Sequence, residues 1–327
     1  MIDLHLHLDG SLPVDTVIKL AKMQNIDLPT NDVDKLKNDY LMVNKDCKDL
    51  TEYLERFDLP LKLMQTKESL YISIHDLLTT LKEQNLIYAE VRFAPQLHTQ
   101  KGLTQEEVVN AVIEGMKSVD FKANLILCCM RGDKNFEENK ETVRLVKKYL
   151  NQGVCALDLA GAEAVFKTKT FADLFAYANK LDVPYTIHAG EADNSTSVFQ
   201  AIEFGAKRIG HGVRSIEDSL VVAKLVNDQI PIEVCPKSNF DTKTFKDMDK
   251  DYPIKKLFDK GVIVTINTDN MTVSDTNLEN EYKIIKEHFG FSDKDINILM
   301  FYSIKASFLS QKEKEDLTLE YLKRISR

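Results

Sequence analysis

Residues 184–212 read PYTIHAGEADNSTSVFQAIEFGAKRIGHG, a stretch that holds one complete unit of the chain's architecture. Its apolar opening, Pro184 to His188, is short and predicts a strand. Ser195 to Phe204 then predicts a helix, and at Arg208 to Ile209 a second apolar run leads up to His211. Strand, helix and strand within about thirty residues is the pattern of a parallel βαβ unit. The same rhythm extends outward on both sides, with strands predicted over Ile2 to Leu8, Leu86 to Phe93, Ala123 to Met130 and Val154 to Leu159, and again over Ile230 to Cys235 and Val262 to Asn267. Helical periodicity fills the intervals, as in Gln105 to Val119, Glu137 to Leu150 and Phe171 to Leu181. Several strands are rich in Val and Ile with little alternation, which suits strands covered on both faces. Eight such strands in an α/β chain of 327 residues favour a (β/α)8 TIM barrel over an open doubly wound sheet.

Between the first two strands the chain is far longer than one crossover helix needs, so extra helices are expected to be inserted there. Within that insertion Leu50, Leu54, Phe57 and Leu61 recur on one face of a helix expected over Asp49 to Leu61, and spacing alone favours core packing for them. No internal repeat, low-complexity linker or break in composition divides the sequence, so residues 1–327 read as one domain.

Composition narrows the class of function. With 43% hydrophobic and 29% charged residues the chain can bury a large core. The net charge of −8, with basic residues scattered, argues against a nucleic-acid partner and for a small neutral or weakly charged one. The five cysteines form no Cys-x-x-Cys pair, which points to a reducing cytoplasm and away from a disulfide framework. The opening MIDLHLHLDG has no secretory pattern, and no later apolar run reaches membrane-spanning length.

Chemistry gathers at the carboxyl ends of the expected strands, the face on which barrels build active sites. Strand one ends in His5-Leu6-His7, two imidazoles spaced to project to one side, although two unrelated polar positions would read the same way. Strand five runs into His188-Ala-Gly-Glu191, strand six into Gly-His211-Gly, and strand eight into Asn267-Thr-Asp269-Asn270. His75, His98 and His288 have no such company and read as surface or structural residues. Three neutral imidazoles and one carboxylate suit a zinc ion with a position left open for water, whose pKa falls to about 7 at such sites. The His-x-Glu and Pro-Cys-x-x-Cys segments of the cytidine-type deaminases are lacking.

With those residues in place the sequence resembles the adenosine deaminase family of amidohydrolase-like barrels. The resemblance rests on seven ordered motifs: His5-Leu-His-Leu-Asp-Gly-Ser-Leu, Ala89-Glu-Val-Arg-Phe-Ala-Pro, Asp158-Leu-Ala-Gly, His188-Ala-Gly-Glu, Arg208-Ile-Gly-His-Gly, Glu233-Val-Cys-Pro-Lys-Ser-Asn and Asn267-Thr-Asp. It implies one zinc ion on His5, His7, His188 and Asp269, and hydrolytic deamination of adenosine and 2'-deoxyadenosine. It further implies Glu191 as proton donor to N1 of the purine, with a pKa raised by a dry pocket, and His211 and Asp269 as the groups that orient and deprotonate the attacking water. Asp9 and His7 would engage the ribose 5'-hydroxyl, the Gly161 amide would donate to N3, and the Leu54, Phe57, Leu61 face becomes a lid over the site. Where the family commonly carries a second aspartate facing N7, this chain has Asn270, whose amide can donate without an unusual protonation state. The runner-up within the class is a deaminase of adenine, an N6-modified adenosine or AMP. Outside it stand a noncatalytic nucleoside-binding protein, which would be expected to lack Glu191 or a ligand, and a general amide or lactone metallohydrolase.

Overall fold

The computed structural model describes residues 1–325. Eight strands follow one another as β1 (Ile2–His7), β2 (Tyr88–Phe93), β3 (Ala123–Met130), β4 (Val154–Ala160), β5 (Thr186–Ala189), β6 (Arg208–His211), β7 (Ile232–Val234) and β8 (Val264–Ile266). Each neighbour pairs parallel, giving two arcs, β1-β2-β3-β4 and β5-β6-β7-β8. Single bridges join the arcs, Leu157 to Tyr185 on one side and Leu6 to Asp269 on the other, so the sheet closes on itself as a (β/α)8 barrel.

The strand ends depart from the apolar runs for identifiable reasons. β5 and β7 begin later than apolarity suggests, after Pro184 and Pro231, which have no N–H to give to a ladder. β6 instead runs past Ile209 through Gly210 to His211. A Cβ at Gly210 would stand 3.1 Å from the His188 Cα and 3.2 Å from the His5 Cε1, so a glycine is what allows a strand beside the imidazoles.

The insertion after β1 is helical, as expected, and contains the helices Val14–Gln24 and Lys67–Glu83. The single helix expected over Asp49 to Leu61 is broken into Leu50–Leu54, a 3-10 turn Glu55–Phe57 and Asp58–Leu63. Asp49 starts the first piece by accepting from the Thr51 and Glu52 amides, and Pro60 sits in the first turn of the last, where its missing N–H costs nothing. The face expected to pack into a core does so only in part. Leu50, Leu54, Phe57 and Leu61 stay half-buried and line a cavity together with the buried Tyr53, against which Leu50 and Phe57 also pack. Tyr53 belongs to a small core of its own with Cys47 and Val273, separate from the main one.

Inside the barrel, charge replaces part of the usual apolar filling. Arg92 contacts Asp158 at 2.9 Å and Glu233 at 2.8 Å, and Arg208 contacts Glu233 at 2.5 Å and Glu90 at 2.6 Å, all five side chains buried. Such a network survives in a dry interior only because every charge is partnered. All five cysteines are free and buried. His98 is buried with its Nδ1 on the Met64 carbonyl at 2.9 Å, whereas the His75 and His288 side chains are 40% and 47% exposed. No helix among the described residues is long and apolar enough to cross a membrane.

Candidate active site

The seam between the first and last strands builds the site. The Asp269 amide donates to the His5 carbonyl at 2.8 Å, and the His7 amide donates to the Asp269 carbonyl at 2.7 Å, so three of the proposed ligands share one stretch of backbone pairing. Asp269 and His211 both have left-handed backbones, with φ of 61° and 58°. That conformation is uncommon for residues other than glycine, though less costly for Asp and His, and it is found preferentially at functional sites.

Four donors converge there. His7 Nε2 lies 3.2 Å from His188 Nε2, and Asp269 Oδ1 lies 3.4 Å from both His5 Nε2 and His7 Nε2. Ligand atoms bound at about 2.0–2.1 Å to one tetrahedral ion stand about 3.3 Å apart, so these separations are those of a coordination shell. Buried His5 Nε2 has no hydrogen-bond partner among the described residues, which is costly unless a cation takes its lone pair. Burial also pushes the His7 pKa well below its ordinary value, keeping the ring in the neutral form a ligand needs. The donor set therefore fits a divalent ion with nitrogen and oxygen preference. Cys235 comes within reach of His211 and Asp269, but burial raises its thiol pKa well above the ordinary range, so it stays a weak hydrogen-bond donor.

The far side of each ring is also fixed. His5 Nδ1 is 2.8 Å from Glu233 Oε2 and His188 Nδ1 is 2.9 Å from Asp158 Oδ2, contacts that turn both Nε2 lone pairs toward the shared point. Burial would raise the Glu233 pKa, but the Arg92 and Arg208 guanidiniums overcome it and hold this carboxyl well below its ordinary range. Asp269 Oδ2 accepts from the Ser238 hydroxyl at 2.5 Å.

Above the donors lies Glu191, 4% exposed, with Oε1 accepting from the Thr242 hydroxyl at 3.3 Å and Oε2 3.5 Å from His211 Nε2. Burial, reinforced by the Asp269 and Glu163 charges, raises its pKa well above the ordinary value, so this carboxyl keeps a proton it can give. Burial drives the His211 pKa the other way, well below 6.5, leaving a neutral ring 4.0 Å from Asp269 Oδ2. These groups floor a cavity of about 190 Å³ whose walls include Leu54, Phe57, Leu61 and Met130. Asp9, Gly161 and Asn270 line the same cavity. Burial raises the Asp9 pKa to about 6, so it is largely ionised at neutral pH. The Asn270 amide fills the place a Cβ on Gly10 would take, 1.9 Å from its Oδ1, which explains why glycine follows Asp9.

Glu233, Asp158 and Arg92 stand inside the motifs without a role there, as do Ser238 and Asn239, whose Nδ2 is 3.1 Å from His211 Nδ1, while Glu163 lies in none of them. A signal was present for the first three. Charged residues inside otherwise apolar strands have to be paired, and pairing across a barrel interior brings them under the site.

A barrel with three imidazoles and a carboxylate converging on one point, and a proton-holding carboxyl overhead, has the site of a metal-dependent hydrolase. The sequence profile described as adenosine deaminase matches residues 1–323. An adenosine deaminase of Haemophilus ducreyi is 48% identical over 325 residues, covering 97% of this chain and 94% of that one. Among solved structures, the adenine deaminase of Arthrobacter aurescens superposes with a TM-score of 0.87 at 25% identity over 100% of this chain and 99% of that chain. The Arabidopsis N6-mAMP deaminase gives a TM-score of 0.85 at 27% identity over 98% and 96%. The chain belongs to the adenosine deaminase family.

Proposed function

We propose that the chain, working as one catalytic domain, converts adenosine and 2'-deoxyadenosine with water to inosine or deoxyinosine and ammonia, using a single zinc ion on His5, His7, His188 and Asp269. The observation that carries this reading is the convergence of those four donors beneath a buried, proton-holding Glu191. Bound there, a zinc ion supplies water acidic enough to give a nucleophile near neutrality, with a pKa of about 7. Glu191 delivers its proton to N1 as C6 is attacked, because addition to the intact ring would otherwise leave a full negative charge on that nitrogen. Asp269, braced by Ser238, and the neutral His211 orient the nucleophile, accept its proton and stabilise charge on the new oxygen. That proton passes to the 6-amino group, which leaves as ammonia, and the remaining hydroxyl proton of the adduct returns to the Glu191 carboxylate as the C6 carbonyl forms.

The remaining contacts set the substrate. Asp9 and His7 receive the 5'-hydroxyl, Gly161 donates its amide to N3, and the Asn270 amide donates to N7. An Asp9 carboxylate at the 5' position repels a phosphate and is left without its partner if the sugar is missing. That disfavours AMP and free adenine, although relatives of this fold include an adenine deaminase and an N6-mAMP deaminase. Five buried free thiols suit a reducing, cytoplasmic setting. The test is a substrate panel on metal-loaded protein with metal analysis of the same sample. Adenosine and 2'-deoxyadenosine should be turned over at least about 100-fold faster than AMP or adenine, with one zinc per chain; comparable AMP turnover would overturn the assignment.

A further inference from the structure

Glu163 follows β4, does not line the cavity, and is 1% exposed. Its two oxygens nevertheless collect four consecutive backbone amides of the loop that carries Glu191. Gly190 donates to Oε1 at 2.7 Å, while Glu191, Ala192 and Asp193 donate to Oε2 at 3.1, 2.7 and 3.1 Å. The Ser197 hydroxyl adds a fifth bond, 2.6 Å to Oε1. Gly190, with φ of 73°, curls the loop so that successive amides face the same way, making a concave nest that favours an anion. A Cβ at Gly190 would stand 2.5 Å from the Val198 Cγ2, so the curl is also sterically reserved for glycine.

The contacts continue around the loop. The Ser197 hydroxyl is 2.7 Å from the Thr168 hydroxyl, and Arg131 Nη2 donates to that hydroxyl at 3.0 Å and to the His188 carbonyl at 2.5 Å. One buried polar chain thus grips both ends of the segment from the metal ligand His188 to the proton donor Glu191. A neutral acceptor or a water could close the loop, whereas a carboxylate in a dry site brings a desolvation cost that only strong, charge-assisted bonds offset. Its charge also bears on the neighbour. After burial and Asp269, Glu163 is the next influence keeping the proton on Glu191, and Arg131, His211 and the Thr242 hydroxyl face Glu191 from the other sides.

We propose that Glu163 is a positioning residue for the deamination, setting the height and aim of the Glu191 carboxyl over the purine ring through the backbone of residues 190–193. The inference rests on the role given to Glu191 above.

The test compares Glu163→Gln, Glu191→Gln and the double variant, each loaded with zinc. Glutamine keeps the volume but turns an NH2 group toward amide donors. The kcat for adenosine should fall about 100-fold in Glu163→Gln, the loss typical of a reacting group misplaced by about 1 Å, while KM and zinc content hold. In the Glu191→Gln background the same change should cost less than about threefold, because the two residues act through one group. The alkaline limb of the kcat/KM profile should also move to lower pH in Glu163→Gln, since a lost negative charge lets Glu191 ionise sooner. Ser197→Ala, a milder change, should reproduce the pattern with about a tenfold loss of kcat and a Tm lowered by only a few degrees, and it carries the test if Glu163→Gln does not fold. An active wild type with a Glu163→Gln kcat within about threefold, or losses that multiply in the double variant, would overturn the positioning role alone. A wild type without adenosine turnover would overturn both readings.

Discussion

At the residue scale the site divides labour between groups whose pKa values are driven apart. Burial raises Glu191 and lowers His211, though their side chains are only 3.5 Å apart, because burial penalises charge of either sign. One group therefore enters the reaction carrying a proton and the other without one. Replacing Glu191 by Gln keeps the shape and removes the acid, so kcat should drop by about 100- to 10,000-fold while KM and zinc content change little. Near-normal turnover in steady-state assays would remove Glu191 from the mechanism. His7, His188, Glu191, His211 and Asp269, which face the cavity, were legible in the sequence because imidazoles and carboxylates stood at strand ends, where apolar periodicity gives them no packing role. The residues behind them were not. Ser238, Asn239 and Glu163 lie in loops and short helices whose folded course no periodicity reveals.

At the element scale, the barrel strands were the readable part, since burial on both faces writes itself as continuous apolarity. The broken helix 50–63 was not, because its apolar spacing fits a core face and a cavity face equally well. Only the position of the barrel mouth distinguishes them. Phe57→Ala should therefore raise KM for adenosine about tenfold, about 1.4 kcal/mol of lost apolar contact, with little change in Tm. A large drop in Tm with unchanged KM, by calorimetry and kinetics, would return this face to a packing role. A second element, the 3-10 turn Pro95–His98, is tied to the end of Asp58–Leu63 by the His98 to Met64 bond. Burial lowers the His98 pKa to about 4, below its ordinary 6.5. The folded state thus binds this proton less readily than the unfolded chain, so the stabilisation is complete above pH 6.5 and is lost as pH falls toward 4. The swing is about 3 kcal/mol. Melting curves of His98→Gln against wild type should show the difference between the two proteins shrinking across that window, and a constant gap would contradict it.

For the whole molecule, the ion-pair network inside the barrel reaches a proposed metal ligand, His5, through Glu233. Glu233 touches His5, Arg92 and Arg208, so Glu233→Gln leaves two guanidiniums short of charge and one ligand poorly aimed. Stability should fall by about 3–5 kcal/mol and zinc affinity by about 10- to 100-fold, readable by thermal melts and competition with a chelator. Unchanged affinity would mean that the network serves packing alone. Closed topology was anticipated from the count of strands, and a closed barrel of eight brings the ends of its first and last strands together. They meet at Asp269, whose backbone bonds to His5 and His7. During synthesis on a ribosome, then, the first two proposed ligands emerge together, while His188 follows about 180 residues later and Asp269, the last arm of the cage, some 260. A nascent chain stalled short of β8 would hold its early histidines without the closing carboxylate, so translation itself sets the order in which the cage is assembled.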